Sequence, residues 1–181
     1  MKKFLKVAAI AAAMIALCVS CEKDDKSING KQFMFDMVEG DTTIPCCLDF
    51  GVTKAGYLTL AMDMYGELTV EGWKMMFAEM IEDEAELAAF AQRMYDATHG
   101  KYISALSDIA YEVVPADSKS GKVVLTVSAE EGGESISADM TYSEWDGKTC
   151  VFNCEMLQLV DQKASVAEKL CPIVNDPLSV M

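Results

Sequence analysis

Two periodicities divide the chain. From residue 31 to 65, and again from 109 to 156, apolar side chains favour alternate positions, whereas from 69 to 98 they recur at helical spacing. Phe33, Phe35 and Met37 mark a first strand near 31–38. Glu39-Gly40-Asp41 turns it, and Thr43–Val52 makes a second strand with Pro45 near its start, where a lost donor is tolerated. After a turn at Lys54-Ala55-Gly56, Leu58, Leu60, Met62 and Met64 form one face of a third strand. Tyr57, Thr59, Asp63 and Tyr65 form its other face.

In the helical stretch, Trp73, Met76, Phe77, Met80, Leu87, Ala91, Met94 and Tyr95 share one stripe, with Glu79, Glu82, Asp83, Glu86 and Arg93 opposite. Glu84 falls inside the apolar stripe. An unpaired carboxylate is costly to bury, so the pattern favours a break, with Asp83 capping a restarted helix and Glu86 completing a capping box, over a Glu84 that faces a cavity. His99-Gly100 is a stop signal, and a cation there suits the helix dipole. Residues 101–108 read as a short helix or a loop. A meander follows in Ile109–Val114, Lys122–Ala129, Ser135–Tyr142 and Thr149–Met156, turned at Pro115–Gly121, Glu130–Glu134 and Asp146-Gly147. Its inward positions are Val123, Leu125 and Val127, then Ile136, Ala138, Met140 and Tyr142, then Cys150, Phe152, Cys154 and Met156. Residues 161–181 read as a C-terminal tail with at most one helical turn before Pro172 and Pro177.

These elements predict a mainly β (α+β) fold. It is an antiparallel meander of about seven or eight strands, closed as a small barrel or folded as a sandwich, with a long amphipathic helix or helix pair after the third strand. The single domain spans about 31–160. Because each element must bury its one apolar face, the Trp73–Met76–Phe77–Met80 edge is expected on the Met62/Met64 face of the sheet.

The start of the chain changes the picture. Met1–Lys6 carries three lysines and no acid, and Val7–Val19 is an apolar run of 13 residues interrupted only by Cys18. That length suits a secretory leader and falls short of the ~20 residues a membrane span needs. Ser20-Cys21 then offers a cleavage site and a thiol for diacylglycerol, so residues 1–20 read as a lipoprotein signal peptide and 21–30 as a lipidated, charged tether. Without residues 1–20 the chain loses Lys2, Lys3 and Lys6 from its 15 cationic residues and none of its 29 acids, leaving a net charge of −17. Such a surface repels phosphate backbones, so no nucleic-acid partner is expected.

Leu17-Cys18-Val19-Ser20-Cys21 resembles a bacterial lipobox, and Glu22-Lys23-Asp24-Asp25 resembles the export signal of Bacteroidota-type surface lipoproteins. The strand rhythm over about 30–157 is similar to that of their small lipocalin-like (calycin-like) barrels. The first strand departs from the lipocalin pattern, with Gly30-Lys31-Gln32-Phe33 where Gly-x-Trp is usual, and the inserted helix departs from the lipocalin plan. The resemblance implies an outer-membrane, lipid-anchored protein exposed at the cell surface.

Chemistry is sparse. Five cysteines remain beyond Cys21: Cys46, Cys47, Cys150, Cys154 and Cys171. Cys46 and Cys47 point to opposite faces of a strand, and Cys150 and Cys154 lie ~13 Å apart on one face, so any disulfide is long-range. Their spacing fits no zinc site. Ser118-Lys119-Ser120-Gly121-Lys122 lacks the earlier glycine of a phosphate loop and reads as a hairpin turn. The acids of the helix read as a solvated face, lacking calcium-loop spacing. His99 stands in no nucleophile motif. No catalytic residue, metal or cofactor is therefore expected. The functional expectation is a non-enzymatic binding module for an apolar or neutral small ligand or an outer-membrane protein partner. Met62, Met64, Trp73, Phe77, Met80, Glu84, Met140 and Phe152 are its ligand-pocket candidates. The alternative is a hydrolase, for example on glycans, using dispersed carboxylates.

Overall fold

The computed structural model describes residues 27–128 and 135–175. The leader, Cys21, the charged run, the turn at Glu130–Glu134 and Pro177 lie outside the described residues. The elements in chain order are β1 (Gln32–Glu39), β2 (Thr42–Phe50), β3 (Tyr57–Met62), α1 (Val70–Phe77), α2 (Glu84–Thr98), β4 (Tyr102–Pro115), β5 (Gly121–Val127), β6 (Ile136–Ser143), β7 (Thr149–Cys154), β8 (Leu159–Val166) and β9 (Ile173–Val174). Each of β1 to β8 pairs antiparallel with its neighbour in sequence. Pairing of β8 with β1 closes the sheet. The result is an eight-stranded up-and-down barrel, with β9 added parallel to the start of β4. Barrel and sandwich were both open from the sequence; closure through β8–β1 and β3–β4 selects the barrel.

Eight strands leave an interior just wide enough for side chains to fill, and here they fill it. Phe33, Phe50 and Phe152 meet with ring centroids 5.1 to 5.7 Å apart. Leu48, Leu58, Val123, Leu125, Met140 and Cys150 complete a fully buried centre. Trp145, from the β6–β7 connection, packs edge-on against Phe33 at 5.6 Å and adds to this core near one end of the barrel. The β2–β3, β4–β5 and β6–β7 turns lie at that end, where the chain also enters β1. The β1–β2 turn, the helical insert and the β7–β8 turn lie at the other.

Three expectations are corrected. Residues 102–108 are strand, the first half of the 14-residue β4. Residues 161–166 belong to β8, so the barrel runs past residue 160 and the tail proper begins after Val166. The helical insert does not lie on a Met62/Met64 face. Met62 packs against the barrel core, while Met64, Met76 and Met80 are 54%, 52% and 70% exposed. The break explains this third difference. α1 ends at Phe77, and α2 restarts after Asp83, whose Oδ1 accepts the Glu86 backbone N–H at 2.8 Å. Two short helices can then bury their apolar faces on each other: Trp73 and Phe77 meet Phe90, Ala91 and Met94, with Phe77 and Phe90 rings 4.8 Å apart. Glu84 is exposed in the first turn of α2, where a carboxylate favours the helix dipole. His99 caps the end of α2 as expected, its N–H bonded to the Tyr95 carbonyl at 2.8 Å.

Candidate functional site

The eight pocket candidates do not converge. Met140 and Phe152 are barrel core, and Met62 packs partly buried against it. Trp73 and Phe77 are the core of the helical hairpin. Met64, Met80 and Glu84 face solvent.

A groove of about 1100 Å³ lies instead at the root of the hairpin, and Met64 is the one candidate that lines it. One wall is the chain leaving the β1–β2 turn, Asp41 to Pro45. The other is the link from β3 to α1, with Asp63, Met64, Gly66, Glu67 and Leu68. The Asp63 backbone N–H bonds the Pro45 carbonyl at 2.8 Å, which ties the two walls together. Leu68 N–H closes a turn on the Tyr65 carbonyl at 3.0 Å, and Thr69 caps α1 by accepting the Gly72 N–H at 3.1 Å. Tyr65 reaches back onto Trp73, with centroids 5.1 Å apart, so the groove wall and the hairpin core are packed together.

The electrostatics of this groove are one-sided. Asp41, Asp63 and Glu67 line it, and among the described residues no cationic side chain does. Asp63 Oδ1 is buried and has no hydrogen-bond partner among the described residues. The carboxylate sits directly on Gly66: a Cβ there would fall 2.5 Å from either oxygen, so only glycine admits this placement. A buried acceptor left unpaired costs ~1–3 kcal/mol, more for a charged group. Among the described residues no three His, Cys, Asp or Glu side chains are grouped to hold a metal ion. The charge continues onto the insert, where residues 64–99 hold eight carboxylates against Lys74 and Arg93. Amid them Met75, 76% exposed, joins Met76 and Met80 as unburied apolar surface.

The sequence pattern did not mark Asp63, Met75 or Glu67 as site residues, and Asp41 stood there only as part of a turn. Asp63 stood as an outward strand residue and Met75 one position off the helical stripe. Gly66, three residues beyond Asp63, was the only local signal of the tight approach.

A second hollow, about 670 Å³, lies at the opposite end among Lys31, Ser118, Lys119, Trp145, Asp146, Gly147 and Lys148. The stretch that superficially suggested a phosphate loop lies here and is a hairpin turn, as expected. Asp117 Oδ1 accepts the N–H groups of Lys119 and Ser120 at 2.7 and 2.8 Å.

No protein-family model, curated protein or solved structure matches this chain.

Proposed function

We propose that this protein is a surface lipoprotein, tethered through Cys21, that binds a basic amphipathic polypeptide at the helical hairpin and the groove at its root. Asp63 carries the reading. A buried carboxylate oxygen without a partner among the described residues, in a groove of carboxylates, is complementary to an incoming Lys or Arg side chain. The exposed methionines beside it suit a partner with apolar side chains of varied shape, since thioether chains repack readily. A protein partner is better supported than a small apolar ligand inside the barrel, because the interior is filled by its own aromatic residues. The chain enters the barrel at the end away from the hairpin, which suits display of the hairpin away from a membrane anchored at Cys21. The eight-stranded closure supports kinship with calycin-like barrels at the level of architecture.

The test is calorimetric titration of the full chain with a synthetic Leu/Lys amphipathic helix. Asp63→Asn, and separately the triple change of Met75, Met76 and Met80 to Ser, should each weaken binding roughly tenfold, a typical effect of losing an interface anchor. Unchanged affinity in both variants would contradict the proposal.

The same groove gives one observation in favour of a carboxylate hydrolase, since Asp41, Asp63 and Glu67 share it. Retaining and inverting glycosidases pair two carboxyl groups ~5–9.5 Å apart in distinct environments. Asp41 and Glu67 are both exposed, and only Asp63 has a buried carboxylate oxygen, so Asp63 is the one member of the set in a distinct environment. Turnover of aryl glycosides that disappears in Asp63→Asn would favour this second reading over the first.

A further inference from the structure

The outer wall of the barrel hides a pair of thiols. On β2, Cys46, Leu48 and Phe50 face the interior, so Cys47 and Asp49 face outward, yet both are buried. What lies against that wall is the stretch from Ala167 to Val174. It leaves β8 with Ala167 N–H on the Gln32 carbonyl at 2.8 Å, crosses the outside of β1 and β2, and joins β4 as β9. Gln32 clamps it midway: Oε1 accepts the Cys171 N–H at 2.7 Å, while Nε2 donates to the Cys171 carbonyl at 3.4 Å and to Asp49 Oδ2 at 2.9 Å. This fixes Cys171 over a defined point of the wall. Cys171 Sγ lies 2.9 Å from Met34 Sδ, and Met34 is the register partner of Cys47 across the β1–β2 ladder. Cys47 is fully buried and Cys171 8% exposed.

We infer that Cys47 and Cys171 are a cross-linking site, joined by a disulfide that staples the C-terminal strap to the outside of the barrel. The reaction is exchange with a small-molecule or protein disulfide. The Cys171 thiolate attacks one sulfur of the oxidant, whose S–S bond breaks and releases a thiolate. Cys47 then gives its proton to solvent and attacks the mixed disulfide at Cys171, forming the internal S–S bond and releasing the second thiolate. Two protein thiols are oxidised and one external disulfide is reduced to two thiols.

Geometry and acidity agree on the order of attack. Interaction with the Cys171 sulfur, with burial adding to it, holds Cys47 well above the ordinary thiol range, and the same interaction holds Cys171 below it. Cys171 is also the partner that solvent reaches, flanked by exposed Leu170 and Pro172. Cys46 and Cys150 face the barrel interior, where burial pushes their thiols up to about 11 and about 12. They are poor competitors for the oxidant.

The experiment treats the full chain with oxidised glutathione, then alkylates and maps it by mass spectrometry without reductant. The expected product has lost two hydrogens and yields a peptide pair linking Cys47 to Cys171, with Cys46, Cys150 and Cys154 alkylated after denaturation. Amide exchange in residues 167–174 should slow roughly tenfold on oxidation and recover with reductant. Cys171→Ser should lose the cross-link while keeping the barrel's circular dichroism, which separates lost chemistry from lost folding. A glutathione adduct that persists on Cys171, a cross-link to any other cysteine, or two free thiols after treatment would overturn the inference.

Discussion

Gln32 joins parts of the chain 139 residues apart, and it does so with both ends of one amide. Its partners, Asp49 and the Cys171 backbone, are buried with it. Gln32→Leu would leave the Cys171 N–H without that partner and Asp49 short of one donor, although Val52 N–H and Thr53 still donate to its carboxylate. A loss of ~1–3 kcal/mol in denaturant unfolding is expected, because a buried polar group stripped of its partner bears its full desolvation cost. At the same end of the barrel, Asp146 turns β6 into β7 by accepting the N–H groups of Lys148 and Thr149 at 2.8 and 2.6 Å. These bonds, chiefly that from Thr149, hold its carboxyl below the ordinary value of 3.8. A depressed folded-state value means that the stabilisation is present above the ordinary carboxyl value and is lost as pH falls through the folded one. Asp146→Ala should therefore lower the melting temperature near about pH 7, and the gap from the parent protein should narrow as pH falls below the ordinary carboxyl value. A gap independent of pH would show that the turn depends on something other than the ionised carboxylate.

The helical insert shows what periodicity reveals and what it hides. The break at Asp83 was legible, because Glu84 stood where a continuous helix would have buried a carboxylate. The partner of the apolar stripe was not legible. Two faces that must be buried can be buried on each other as well as on a sheet, and the strand face offered by Met62 was already committed to the barrel interior. The hairpin therefore has its own small core, built on a fully buried Trp73. Trp73→Ala removes ~3–5 kcal/mol from that core. The effect should stay local: amide protection should vanish over Val70–Thr98 and persist in β1 to β8. Uniform loss of protection would mean that hairpin and barrel unfold as one unit. The strands missed in the sequence have a related explanation. β8 turns only Leu159 and Ala164 fully inward, and Asp161 has a positive φ of 46°, so alternation is interrupted. β4 hides its first half in the same way, with Asp108 at φ 59° and register shifts opposite Leu58 and Leu60.

At the scale of the whole molecule, the two ends of the barrel differ in charge and in exposed apolar surface. The end where the chain enters holds a hollow among Lys31, Lys119 and Lys148, and the far end carries the acidic groove and the exposed methionines. Meander and insert were readable from the sequence because turns such as Asp146-Gly147 and alternating faces are local signals. The groove was not, because it exists only where the β1–β2 turn meets the root of the hairpin, two segments about twenty residues apart whose contact depends on closure of the sheet. The central claim, that this acidic end receives a basic amphipathic polypeptide, is most directly tested by hydrogen exchange of the full chain with and without the Leu/Lys helix. Bound peptide should slow exchange at residues 41–45 and 63–81 and leave the Lys31/Lys119/Lys148 end unchanged. Protection confined to that lysine end, or no protection despite measurable binding, would contradict it.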